Sequence, residues 1–171
     1  MVQTARKSIS LTGDESPKGQ ARTSYLESMR LIERLHRRML DVIKMELDAR
    51  SVSNINSVQA LLLFNIGDHE LTAGELRSRG YYMGSNVSYN LKKLVEAGYL
   101  EHQRAAHDKR AVRIRVSDKG AEICRFLGDL YDRQVDKIIG DGPLGREGMG
   151  AMNDSLRALE RFWSDELRFV F

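Results

Sequence analysis

The stretch Gly98–Gly120, GYLEHQRAAHDKRAVRIRVSDKG, decides the fold of this chain of 171 residues. Tyr99-Leu100 and Ala111–Ser117 predict two strands, because apolar and polar side chains alternate through the second one. The charged residues between them predict the turn of a hairpin. The alternation places Arg113 and Arg115 on one face, so this hairpin is either a solvated surface or a surface that contacts a polyanion.

Apolar residues at helical spacing predict helices on both sides of the hairpin. Before it we expect four helices. The first is long and runs from Thr23 or Ser24 to about 49–52, and the second is capped by Asn54 or Asn56 and closed by Gly67. The third is short, with a Thr72/Glu75 capping box and an end at Gly80, and the fourth is capped by Ser85 and ended by Gly98. After it we expect helices over 118–139 and 146–168, separated by GDGPLG.

Two short helices followed by a two-stranded hairpin predict a winged helix-turn-helix. The second helix of such a pair, here about 84–97, fits the major groove of DNA. Its leading side chains are small or polar and suit base edges and phosphates, and two lysines follow that suit phosphates. These candidate DNA contacts are Ser85, Asn86, Ser88, Tyr89, Asn90, Lys92 and Lys93. Each is also an ordinary residue for an exposed helix, and the combined pattern predicts more than any one of them.

The hairpin, with GSNVSYNLKKLVEAG before it, resembles the MarR family of bacterial transcription regulators. The family's wing has Asp-x-Arg, a small residue, an alternating strand, and Ser or Thr before a helix whose start contains Gly. The residues that fit this pattern are Asp108, Lys109, Arg110, Ala111, Ile114, Ser117 and Gly120. The resemblance covers about residues 25–168.

The resemblance implies a mainly α fold with a small β-hairpin wing, in which helical dimerisation regions flank the winged domain. We expect a flexible arm over 1–22, dimerisation helices over 23–53 and 118–171, and the DNA-binding region over 54–117. It also implies a homodimer that binds double-stranded DNA at a pseudo-palindromic operator. The apolar surface of the flanking helices favours a dimer independently, with the alternative that these helices fold back on their own winged domain.

The resemblance also assigns roles in the wing. Arg110 would enter the minor groove, where an arginine senses groove width and potential, and Asp108 would orient it. The family often has Arg four residues after Gly98, but His102 stands there, so Arg104 would substitute for it. Arg104, Lys109 and Arg113 complete the expected DNA contacts.

Members of the family often bind small aromatic or phenolic ligands between the dimerisation helices and the winged domain, and ligand binding lowers DNA affinity. The residues that suit such a crevice here are Met39, Ile43, Leu47, Val58, Leu62 and Phe64. At these spacings each is also a normal core residue.

Composition limits the other classes of function. The net charge is +3, and residues 70–117 hold most of the excess, with 9 Lys/Arg against 5 Asp/Glu. No catalytic set or phosphate-binding loop is evident, so we expect no enzyme, no cofactor and no metal; His102, His107 and Asp108 are weak metal candidates. The lack of a signal peptide or membrane-spanning run predicts a cytoplasmic protein.

Two alternative functions remain open from the sequence. One is a helical adaptor whose winged domain binds a protein. The other is a redox-sensing regulator that uses Cys124, the single cysteine. Its apolar neighbours Ile123 and Phe126 favour an inert, buried thiol over a reactive one.

Overall fold

The computed structural model of the chain describes residues 16–78, 84–104, 112–140, 142 and 144–168. The chain divides into two compact units, Met1–Val58 and Gln59–Phe171. Within the described residues the elements are, in order, α1 (Pro17–Ala49), α2 (Ser57–Ile66), β1 (Leu71–Thr72), α3 (Ala73–Ser78), α4 (Gly84–Glu96), β2 (Leu100–Arg104), β3 (Val112–Val116), α5 (Asp118–Val135), a π-helical turn (Asp136–Gly140) and α6 (Arg146–Arg168). The mainly α fold with a small wing is confirmed.

Helix α1 begins earlier than the sequence predicts. Ser16 is its N-cap and accepts a hydrogen bond from the Gly19 amide at 3.1 Å, and Pro17 follows at a position where proline suits a helix start. The Thr23 hydroxyl does not cap the helix, because it donates back to the Gly19 carbonyl at 3.0 Å. The predicted arm over 1–22 is therefore wrong for 17–22, and its residues 1–15 lie outside the described part.

Helix α2 is buried on most of its surface, as its continuous apolar run predicts. Leu62, Leu63 and Ile66 are each at most 1% exposed. Gly67 has a φ of 54° and donates its amide to the Leu63 carbonyl at 3.0 Å. Gly67 therefore ends the helix as predicted, because glycine adopts this left-handed conformation without steric conflict.

The sheet contains a strand that the sequence analysis missed. Strand β1 pairs antiparallel with β3, which also pairs with β2, so the order is β1-β3-β2. Leu71 lies opposite Ile114, and both are buried. A two-residue strand shows no alternation, and its partner lies more than forty residues later in the chain. This third strand fastens the wing to the helices that precede it.

The capping box of α3 is confirmed. The Thr72 amide donates to a Glu75 carboxylate oxygen at 2.6 Å, and the Glu75 amide donates to the Thr72 hydroxyl at 3.1 Å. Gly80, the predicted end of this helix, lies outside the described residues. Helix α6 has the predicted bounds, and none of its described residues is buried.

Candidate nucleic-acid interface

Helix α4 has one buried face and one polar face. Val87, Leu91 and Leu94 are each at most 4% exposed and anchor the helix in the core of its unit. A face of exposed side chains runs along the other side and consists of Ser88, Tyr89, Lys92, Lys93 and Glu96. Tyr89 is 61% exposed, so most of its ring and its hydroxyl are open to a partner molecule. The helix therefore presents hydroxyl, phenol and ammonium groups together.

Three residues near the start of α4, namely Ser85, Asn86 and Asn90, are predicted DNA contacts on which the structure bears only in part. Ser85 is the second residue of the helix, so it is not the N-cap that the sequence predicts. The side chains of Ser85 and Asn86 lie outside the described part of the structure. Asn90 is half-buried, because helical spacing puts it at the edge of the buried face rather than in the middle of the exposed one.

The C-terminal end of α4 forms a Schellman motif. The Tyr99 amide donates to the Leu94 carbonyl at 2.8 Å, and the Gly98 amide donates to the Val95 carbonyl at 3.0 Å. Gly98 has a φ of 77°, which the motif requires. Tyr99 is 3% exposed and β2 begins at the next residue, Leu100, so the predicted change from helix to strand after Gly98 is confirmed.

The first turn of α5 holds that end of α4 in place. The Ser117 hydroxyl donates to the Gly98 carbonyl at 2.7 Å and accepts the Gly120 amide at 3.1 Å as the N-cap of α5. The Lys119 ammonium donates to the Ala97 carbonyl at 2.8 Å and lies 4.2 Å from the centre of the Tyr99 ring. A cation at a helix C-terminus also interacts favourably with the helix dipole.

Gly120 allows this close approach between the two helices. A Cβ atom at Gly120 would collide with the Tyr99 carbonyl oxygen and lie 2.7 Å from the Val116 Cγ1 atom. The sequence identified this glycine only as part of a wing pattern. The structure gives the physical reason: no side chain fits between the α5 start and the α4 end.

The wing strands β2 and β3 carry the basic residues that the sequence emphasised. Arg115 donates from Nη2 to a Glu101 carboxylate oxygen at 2.8 Å across the strands, so its charge already has a partner. Arg113 is half-buried. The wing tip lies outside the described residues, with Asp108, Lys109 and Arg110, and so does the Arg104 side chain.

The lysines of α4 share one carboxylate. Lys93 Nζ lies 2.8 Å from one Glu96 carboxylate oxygen, and Lys92 Nζ lies 3.8 Å from the other. The hydrogen bond to Lys93 lowers the pKa of Glu96, and the same bond raises the pKa of Lys93. Sequence reasoning identified the lysines but not this acid, although the spacing of three and four residues would have indicated it.

Comparison with known proteins identifies the chain. A family model described as a winged helix DNA-binding domain matches residues 55–120. The exopolysaccharide II synthesis transcriptional activator ExpG of Rhizobium meliloti (strain 1021) is 33% identical over 167 residues, which cover 98% of this chain and 86% of that protein. A MarR protein from Peptoclostridium difficile has a TM-score of 0.68 at 18% identity, over 84% of this chain and 91% of that one. The chain belongs to the MarR family.

A further MarR-type structure is Streptococcus pneumoniae FabT in complex with DNA, which has a TM-score of 0.67 at 22% identity and covers 82% of this chain and 98% of that one. The likeness to these distant structures concerns the fold. Together with the matched DNA-binding domain and the curated relative, the family confirms that this MarR-family protein is a DNA-binding transcription regulator.

Cys124 of this MarR-family protein is half-buried on α5. Burial, and secondarily the negative charge of Asp68, raises the pKa of its thiol to about 11. A thiol with that pKa is ionised in only about one molecule in 10⁴ at neutral pH, and the thiolate is the reactive form. The inert interpretation of Cys124 is favoured over the redox alternative.

The predicted ligand residues divide between the two units. In Met1–Val58, Ile43 and Leu47 are at most 2% exposed, and Met39 and Val58 are half-buried. In Gln59–Phe171, Leu62 is 1% exposed, while the half-buried Phe64 packs edge-on against Tyr131, with ring centres 5.1 Å apart. Burial raises the pKa of Tyr131.

Cavities also occur away from the predicted residues. One of about 430 Å³ lies between the end of α2, β3 and α5, and its lining includes Asp68, Arg115, Cys124 and Arg125.

No helix in the described part of the chain is long and apolar enough to span a membrane. Among the same residues, no group of three or more His, Cys, Asp or Glu side chains could hold a metal ion.

Proposed function

We propose that this MarR-family regulator binds a pseudo-palindromic operator as a homodimer, with α4 of each protomer in a major groove and each wing at an adjacent minor groove. The exposed polar face of α4 carries this proposal. The opposite face is buried at Leu94, and the C-terminal end of the helix is held by the Gly98 turn and by the hydrogen bond from the Ser117 hydroxyl to the Gly98 carbonyl. A rigid helix that presents Ser88, Tyr89 and two lysines suits base edges flanked by phosphates.

Exposed apolar side chains on α6 support the dimer. Met152, Leu156, Trp163 and Leu167 recur at spacings of four and seven on one face and are 37%, 41%, 38% and 62% exposed. A stripe of this kind on a 23-residue helix with no buried residue is typical of a surface that packs against another chain. A second copy of this chain fits best, since the symmetric arrangement pairs identical stripes.

Light scattering on the purified protein tests the dimer. We expect a mass of twice 19.5 kDa. Leu156→Glu should shift the protein toward the monomer, because a charge in the apolar stripe is desolvated on pairing. Ala158→Glu adds the same charge on the opposite side of the same helix, where Ala158 is exposed, and we expect it to remain dimeric. A monomeric native protein, or a Leu156→Glu variant as dimeric as the control, contradicts the proposal.

Selection of bound duplexes from a random pool tests the operator. We expect an inverted repeat with half-sites about one helical turn apart, as two symmetric α4 helices require. Arg110→Ala should then weaken operator binding by about tenfold, because a groove-inserted arginine contributes on the order of 1–3 kcal/mol. Arg146→Ala on α6 is the matched control. Equal affinities of the two variants would contradict the proposed contact between Arg110 and DNA.

We also propose that a small aromatic effector modulates DNA binding. The half-buried Phe64–Tyr131 pair supports this, since aromatic rings that keep part of their surface accessible suit a stacked ligand. A thermal-shift screen of phenolic acids against the free protein, followed by release of the selected duplex, tests it. No shift and no release with any compound of this class would contradict the proposal.

The direction of regulation is proposed from the relative. ExpG is a transcriptional activator at 33% identity over nearly the whole chain, so we propose activation here as well, within the bacterial cytoplasm where the DNA lies. A promoter fusion downstream of the selected operator should lose activity when this chain is deleted. A gain of activity would instead indicate repression.

A further inference from the structure

The exposed face of α4 contains a single described carboxylate. Glu96 is one helical turn from both Lys92 and Lys93 and contacts each of them, at 3.8 Å and 2.8 Å. All three side chains are exposed, so the same ammonium groups are open to a partner molecule. The three residues together carry a charge of +1 rather than +2.

A helix pair of this type has a simple structural interpretation. Pairs at spacings of three and four residues stabilise an isolated helix by about 0.2–0.5 kcal/mol. That role does not explain why one acid serves two lysines on the face that the proposed function directs at DNA. A carboxylate presents two anionic oxygens to an ammonium much as a phosphate does. Glu96 therefore offers the two lysines the same kind of anionic acceptor that a phosphate would offer.

We propose that Glu96 is an internal counter-anion that DNA phosphates must displace from Lys92 and Lys93, and that it thereby limits sequence-independent binding by α4. This inference rests on the proposed function, in which α4 faces DNA. Each lysine that neutralises a phosphate releases about 0.9 of a condensed cation from the duplex. A glutamate that stays between the lysines reduces this release, so affinity falls and depends less on salt.

The consequence concerns specificity. Phosphate contacts contribute equally to all sequences, whereas base contacts by the leading residues of α4 do not. Weaker phosphate contacts therefore shift the balance toward the base contacts. A regulator that must leave non-specific DNA to find one operator benefits from this restraint.

Fluorescence anisotropy with a short labelled duplex of random sequence tests the inference on the full chain, over a range of salt concentrations. Glu96→Gln should bind about two- to fivefold tighter, as release of an exposed ion pair allows. The slope of log affinity against log salt should steepen by about 0.9. Glu122→Gln, which removes an exposed acid from α5, is the matched control for net charge and should change neither quantity.

A substitution cycle separates restraint of the lysines from simple repulsion between Glu96 and DNA. If Glu96 acts through the two lysines, Glu96→Gln should have little effect once Lys92→Met and Lys93→Met are both present. An equal gain in both backgrounds overturns the inference, and so does an unchanged affinity of Glu96→Gln while Lys93→Met alone weakens binding. Unchanged binding by Lys93→Met overturns the placement of α4 on DNA as well, so the two failures are distinguishable.

Discussion

Helices α1 and α4 end with the same hydrogen-bond pattern but are held differently. At the end of α1 the Val52 amide donates to the Leu47 carbonyl at 3.0 Å, and Ser51 adopts the left-handed conformation with a φ of 58°. At the end of α4, Tyr99 and Gly98 make the equivalent bonds. After α1, the Arg50 side chain forms an ion pair with Glu46 of the same helix. After α4, the backbone carbonyls instead accept hydrogen bonds from side chains at the start of α5.

The difference shows what a local motif does and what tertiary contacts add. A Schellman motif satisfies the last carbonyls of a helix wherever it occurs. It does not fix the direction of that helix relative to a neighbour. At α4 the contacts from Ser117 and Lys119 supply this fixation, which the proposed role of α4 in DNA recognition requires.

The largest effect is expected from Gly120→Ala. Its Cβ would collide with the Tyr99 carbonyl, so the two helices must separate, at about 2–3 kcal/mol of unfolding free energy. Urea denaturation measures this. Gly128→Ala in the same helix is the control: in the described part of the chain, no atom beyond its own helix turn lies within 4 Å of its Cβ position, so we expect stabilisation of up to about 1 kcal/mol. Equal responses would show that the two helix ends are not closely packed.

Ser117→Ala should have the next largest effect, about 1–2 kcal/mol. The variant loses the N-cap of α5 and leaves the Gly98 carbonyl without the donated hydroxyl. Ser117→Thr keeps the hydroxyl and should recover most of the loss. Hydrogen exchange of the Tyr99 and Leu100 amides should accelerate in the alanine variant alone. An exchange rate equal to that of the native protein would contradict the idea that Ser117 holds the C-terminal end of α4.

A reciprocal pair of substitutions compares the two ends directly. Gly98→Ala should destabilise by about 1 kcal/mol, because the left-handed conformation disfavours a Cβ even in open space. Ser51→Gly should stabilise by about 0.5 kcal/mol, because it relieves the same conformation. Thermal unfolding of both variants gives the signs. Two stability changes of the same sign would mean that the left-handed backbone conformation does not determine the effect of these substitutions.

The smallest destabilisation is expected from Lys119→Met, about 0.5 kcal/mol. The ammonium is exposed, so its hydrogen bond to Ala97 and its contact with the Tyr99 ring contribute little to stability. Lys137→Met in the π-helical turn removes the same charge elsewhere. If Lys119 helps to orient α4, its variant should lose operator affinity while the control does not.

Much of the fold followed from local signals. The caps of α3, the glycine ends of α2 and α4, and the bounds of α6 depend on residues within one or two turns of one another, so the sequence could predict them. Strand β1 and the early start of α1 were missed. Strand β1 has only two residues, too few to show an alternation. The start of α1, with its Ser16 cap and Pro17, lies in a polar stretch whose composition is typical of a flexible arm.

The candidate site divides in the same way. The sequence by itself determined which helix carries the polar face and where the wing begins, because helical spacing and a glycine in the left-handed conformation are local properties. Only the tertiary structure decided that Glu101 neutralises Arg115 and that Lys119 reaches Ala97, 14 and 22 residues away along the chain. Such contacts depend on how elements pack, and no spacing within one element encodes them.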